Sequence, residues 1–144
     1  SKQRTIALKG FNLGYKQTAL AEGEFIHSVI LPLPSNGQQV WIEKVSKRTE
    51  DDISATCVAM SLTLDHDTIV QIDIACVGMA ATPKMANMSQ SQLLGQTLTP
   101  QLIAQVPVWL AQDYQPIDDM RASAAYRQQV TSNIVTGFLR AAIA

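Results

Sequence analysis

Ile53-Ser54-Ala55-Thr56-Cys57-Val58-Ala59-Met60-Ser61-Leu62-Thr63-Leu64, then Asp65-His66-Asp67-Thr68, then Ile69-Val70-Gln71-Ile72-Asp73-Ile74-Ala75-Cys76-Val77 is the stretch that decides the fold. Two long alternating runs flank a polar tetrapeptide, which is the pattern of a β-hairpin. In the second run Ile69, Gln71 and Asp73 are expected on one face and Val70, Ile72 and Ile74 on the other, one wet and one turned to a core. Upstream, Glu24 to Leu31 is rich in apolar and β-branched residues, Pro32-Leu33-Pro34 stops it, and Ser35-Asn36-Gly37 is a turn signal before a second run, Gln39 to Val45. That pattern predicts another antiparallel hairpin. A polar link, Ser46 to Asp52, joins the two hairpins.

Downstream the period becomes helical. Thr82-Pro83 and Thr99-Pro100 both read as helix starts, with a capping Thr before a Pro at the first helical position. A short helix is expected from about Ser89 to Leu94, ended by Gly95. Leu102, Ile103, Val106, Trp109 and Leu110 keep helical spacing, and Pro107 should kink or restart that helix. A last helix from about Ser123 to Ile143 carries the stripe Tyr126, Val130, Ile134 and Phe138. Strands first and helices last predict an α+β fold, an antiparallel sheet of about four strands (two hairpins) packed on one face by about three C-terminal helices.

The chain has 144 residues, 47% hydrophobic and 16% charged, which excludes a disordered segment. A formal charge of −1 leaves no electrostatic footprint for nucleic acid or an anionic membrane. No apolar run approaches the ~20 residues of a membrane helix. The first residues, Ser1-Lys2-Gln3-Arg4, read as continuing from a longer chain, with residues 1–14 a lead-in and 15–144 the domain. Cys57 and Cys76 lie in apolar runs and read as small buried hydrophobes on neighbouring strands, in a reduced, cytoplasmic protein. Two cysteines, with His27 in a strand and His66 in a turn, make no metal site, and no Gly-rich phosphate loop is present.

Four motifs carry more than periodicity does. They are Gly14-Tyr15-Lys16-Gln17-Thr18; Lys44-Val45-Ser46-Lys47-Arg48-Thr49-Glu50-Asp51-Asp52-Ile53-Ser54-Ala55; Gly78-Met79-Ala80-Ala81-Thr82-Pro83-Lys84; and Asp119-Met120-Arg121-Ala122-Ser123-Ala124-Ala125-Tyr126-Arg127. In this order and spacing they resemble the C-terminal part of the FAD-containing subunit of molybdenum hydroxylases, most of all the small subunit of bacterial xanthine dehydrogenase.

The resemblance implies a place in an enzyme in which electrons pass from a molybdenum centre through iron–sulfur clusters to FAD and then to NAD. The iron–sulfur and molybdopterin groups would sit in other parts of the enzyme. An upstream FAD-binding domain would hold most of the flavin, a molybdenum-binding subunit would be a partner, and the full enzyme would be an oligomer. The chain alone would be colourless and inactive. The same module in an aldehyde- or carbon-monoxide-oxidising relative is an alternative, as is a non-catalytic subunit-interface domain.

By the same resemblance Asp51 and Arg48 lie beside the flavin, the carboxylate opposing negative charge on the ring and Arg48 setting the place of the link. The plainer reading is an acidic first helical turn with Lys47 and Arg48 solvated. Lys44 would approach a polar edge of the ring, or else be a lysine on an exposed strand face. Ile26 would pack on the ring, or else be a core residue. Glu24 would bond a backbone amide or the cofactor rim. The Gly78 and Asp119 motifs read as structural, with Ser123 a helix cap and Arg121 and Arg127 bonding carboxylates or carbonyls. A second role for Arg121 is docking a neighbour.

Overall fold

A computed structural model describes residues 3–48 and 53–143. The chain divides into two compact units, Ser1–Leu33 and Pro34–Ala144. In the first, a 3₁₀ turn at Leu8–Gly10 leads into a small hairpin of β1, Asn12–Gly14, and β2, Gln17–Thr18. Glu24 closes this unit. Its carboxylate takes two bonds from the Arg4 guanidinium and one from the Ala21 amide at 2.7 Å. The Arg4 pairing, then the amide, holds the carboxyl down to about 2. The expected bond to a backbone amide is therefore present.

The second unit contains β3 (Gln38–Val45), β4 (Thr56–Asp65), β5 (Thr68–Val77) and β6 (Lys84–Met85), an antiparallel sheet in that order. Helices α1 (Asn87–Leu93), α2 (Pro100–Ile103), α3 (Val106–Asp113) and α4 (Ala124–Ala141) follow. The α+β order holds. The sheet's composition differs from expectation in one strand, because Glu24–Leu31 forms none. Phe25, Val29, Ile30 and Leu31 are exposed, and the segment has no ladder partner among the described residues. Strand propensity is a statement about packing on neighbours, and within this unit no strand lies alongside to supply it. The fourth strand is Lys84–Met85 instead. Thr82-Pro83 therefore opens an edge strand rather than a helix: Ala86 N bonds Ile74 O at 2.9 Å, and the Tyr114 hydroxyl bonds the Lys84 carbonyl at 3.0 Å.

One face of the sheet forms the core. Val58, Met60 and Leu62 on β4 and Ile69, Ile72, Ile74 and Cys76 on β5 are buried under Leu93, Ile103, Val106, Leu110, Val135 and Leu139 from the helices. Each such side chain contributes about 1.5–3 kcal/mol as an upper estimate. Strict alternation predicted Ile69 and Ile72 on opposite faces, yet both are buried. The register shifts between Thr63, paired with Gln71, and Leu64, paired with Ile69, so that Val70 is the extra residue of a bulge.

Thr99 caps α2 through a bond to Leu102 N, and Pro107 stands in the first turn of a restarted helix, both as expected. On α4 the buried positions are Arg127, Thr131, Ser132, Val135, Thr136 and Leu139, one step around from the expected stripe. Tyr126 is exposed, while Ile134 and Phe138 are half-buried. The polar groups go inside because partners await them there: the Thr131 hydroxyl meets that of Thr56 at 3.0 Å. Phe138 stacks on Trp41 with centroids 5.6 Å apart, anchoring β3 to the helix.

Candidate functional site

The charged link leaves β3 at Ser46 and returns at Ala55, where Ala55 N bonds Val45 O at 2.7 Å and closes its base. Thr49, Glu50, Asp51 and Asp52 lie outside the described residues, so Asp51 is followed only through the two limbs that carry it. On the first limb Ser46 Oγ donates to the Arg48 carbonyl at 2.8 Å, and Lys47 Nζ donates to the Met120 carbonyl at 2.7 Å. On the second, Arg127 Nη1 donates to the carbonyls of Ala55 and Gly78, while its Nη2 donates to Asp119 Oδ1 at 2.6 Å.

Asp119 Oδ1 also accepts from the amides of Arg121 at 2.8 Å and Ala122 at 3.1 Å. These amides first, and Arg127 after them, lower its carboxyl from 3.8 to about 2. A cavity of about 420 Å³ opens beside this knot, between Lys47, Ala55, Met120, Arg121 and Tyr126. Ser123 Oγ caps α4 by accepting from Tyr126 N at 3.2 Å, as the sequence predicts.

Gly78 permits the close approach that joins the strands here. Its φ is +84°, and a Cβ would stand 2.6 Å from the Ala55 carbonyl oxygen. With Oδ1 taking three of the chain's own donors, Asp119 has the character of an anchor rather than a proton carrier. Arg121 stands 3.7 Å from Asp119 Oδ2 and is the more exposed of the two arginines.

Lys44 lies on the face of the sheet that no core helix covers. It forms a row with Cys57 and Val77, beside a row of Ile42, Ala59, Ala75 and Met85. Ile42 is 69% exposed and Val77 46%. Lys44 itself is exposed on that strand face, a position compatible with either reading of it. Arg48 is exposed, four positions on. Ile26 belongs to the first unit and is 56% exposed, so it is not a core residue of that unit. Cys57 and Cys76 are both free and occupy opposite faces of the sheet, because Cys57 pairs with Val77 and Cys76 with Val58. His66 sits in the hairpin turn with φ +52° and is exposed. No cluster of metal-ligating side chains occurs among the described residues.

Two structurally important groups escaped the sequence reading. Lys47 read as merely solvated, yet it ties the link to residue 120. Asp113, at the wrong end of α3 for that helix's dipole, serves another helix. Its carboxylate accepts from Met88 N, Ser89 N and Ser89 Oγ at 2.7–2.8 Å and caps α1. An acidic side chain in a last helical turn was the available signal.

A family model for the CO dehydrogenase flavoprotein C-terminal domain matches residues 41–142. The chain belongs to this family. The match takes in Lys44, Arg48, the link, and the Gly78 and Asp119 motifs. Similar proteins include the carbon monoxide dehydrogenase medium chain of Hydrogenophaga pseudoflava, 28% identical over 97% of this chain and 48% of that one. Another is the nicotinate hydroxylase of Emericella nidulans, 26% identical over 96% of this chain and 11% of that one. The flavoprotein C-terminal domain therefore spans about half the length, or less, of these relatives. Among solved structures, Cu,Mo-CO dehydrogenase superposes with a TM-score of 0.82 at 23% identity, over 93% of this chain and 46% of that one. Quinoline 2-oxidoreductase from Pseudomonas putida 86 gives 0.82 at 19%, over 94% and 47%. These two establish a shared fold.

Proposed function

We propose that this chain forms one wall of the flavin site in the FAD-bearing subunit of a molybdenum hydroxylase, with Asp51, Arg48, Lys44 and Ile26 turned to the ring. The observation that carries the reading is the helix-free face of the sheet. Its middle row has only Ala59 and Ala75 between Ile42 and Met85, and Lys44 stands one row away. A flat aliphatic floor with a cation at its margin suits a planar, largely apolar ring with a polar edge. The described residues offer no Gly-rich turn for a pyrophosphate, so they fit a wall of the site and not the main grip.

Bound FAD supplies a two-electron carrier between iron–sulfur clusters and NAD. The chain's own part is electrostatic and steric. The Asp51 carboxylate disfavours negative charge on a neighbouring ring, and the Lys44 ammonium favours it from an edge. Arg48 sets the place of the link, and Ile26 packs on the ring. The proposal includes an upstream FAD-binding domain for which residues 1–14 are the lead-in. It also includes a molybdenum-binding subunit, an oligomeric enzyme and a cytoplasmic location.

The substrate class is a finer matter. The resemblance favours xanthine, while the Asp119–Arg127 stretch among its motifs is engaged in holding the link and capping α4. Named relatives act on carbon monoxide and nicotinate. Assays of the whole enzyme with xanthine, an aldehyde and carbon monoxide decide among them. The wall itself is tested by Asp51→Ala in the flavoprotein that contains this chain. Unchanged FAD content, a less negative flavin potential and slower reduction of NAD are expected. Unaltered flavin kinetics would leave the chain as a non-catalytic interface module.

A further inference from the structure

We infer that Arg127 is a positioning residue for the flavin, acting through the charged link 46–55 without touching the ring. The inference rests on the flavin-side reading of that link. Arg127 is 3% exposed, although it sits on the first turns of a helix whose polar side could have carried it into water. A buried guanidinium is costly unless its donors are met. Here Nη1 donates to Ala55 O and Gly78 O and Nη2 to Asp119 Oδ1, while the buried Nε has no partner among the described residues.

Those three acceptors come from the end of the link, the exit of β5 and the segment before α4. Lys47 fastens the opposite limb to Met120, next in sequence to Asp119. Both limbs are therefore tied to one short segment, and the buried Arg127, with the more exposed Asp119, forms one half of the tie. No aliphatic side chain can donate to two carbonyls and a carboxylate at once, and a lysine offers a single point charge without the planar fork.

The test uses the FAD-loaded flavoprotein with Arg127→Met, Arg127→Lys and Asp119→Asn, beside Asp51→Ala. Amide exchange over residues 46–56, FAD content and flavin reduction potential are read in each. Arg127→Met is expected to speed exchange in the link about tenfold or more. It should also move the flavin potential in the same direction as Asp51→Ala, by a smaller amount, with FAD retained. Arg127→Lys should recover part of both effects. If Arg127→Met does not fold, Arg127→Lys and the half-exposed Asp119→Asn carry the same comparison.

A faster-exchanging link with a wild-type potential, in a protein whose potential does respond to Asp51→Ala, overturns the inference and leaves the flavin-side reading standing. A potential that responds to neither overturns both.

Discussion

Arg127 and Ala55, 72 positions apart in the chain, are joined by a buried hydrogen bond from guanidinium to carbonyl. The bond brings the return limb of the charged link onto the start of α4. Gly78 stands against both partners. A Cβ at Gly78 would lie 2.6 Å from Ala55 O and 3.0 Å from Arg127 Nη1.

Gly78→Ala should therefore destabilise the domain by about 2–4 kcal/mol, from a left-handed backbone and a clash with a carbonyl that cannot retreat. Urea unfolding measures it. A change below about 0.5 kcal/mol, as at an ordinary surface site, would contradict the described packing.

Acid should loosen the same knot. The Asp119 carboxyl is lowered from 3.8 to about 2, so its contribution is fully present above the unfolded value and fades as pH falls through the folded one. The stability difference between wild type and Asp119→Asn should be level from neutral pH to about pH 4 and shrink toward pH 2. A difference that titrates near pH 6 would assign the bond to another group.

Asp113→Ala should cost about 2–4 kcal/mol, because Met88 N, Ser89 N and Ser89 Oγ lose their acceptor at a helix start that has no side-chain cap of its own. Thermal and urea unfolding check it. Asp113→Asn, which keeps one carbonyl acceptor, should recover part of the loss.

The cysteines offer an independent check of sheet register. Cys57 and Cys76 lie on opposite faces, and burial pushes the Cys76 thiol up to about 11. Mild oxidation should give no Cys57–Cys76 bridge, and an alkylating reagent at pH 8 should spare Cys76 until the protein unfolds. Peptide mass mapping reads both, and a bridged peptide would refute the register.

Much of the second unit was legible because its signals are local. Alternation around Asp65–Thr68 marks a hairpin whoever its neighbours are, and Thr99-Pro100 caps its own helix. What was not legible depends on partners distant in sequence. Glu24–Leu31 has strand composition without a strand beside it. The buried side of α4 could not be read from apolar spacing, since Arg127, Thr131, Ser132 and Thr136 are polar and gain burial through acceptors elsewhere. Val70 broke the alternation because a bulge leaves the period unchanged on either side and shifts only its phase. At the site, the alternation of β3 was enough to place Lys44 on an exposed strand face. The link's anchoring through Lys47 was not legible, because a lysine in a polar run looks solvated until the carbonyl it reaches is known.

The most direct test of the central claim is a structure of the intact flavoprotein with FAD bound. The account predicts the helix-free face of the sheet and the Lys44-to-Ala55 segment against the isoalloxazine, with Asp51 near enough for its charge to act. A segment facing bulk water beyond a screening length of ~10 Å from the ring would contradict it.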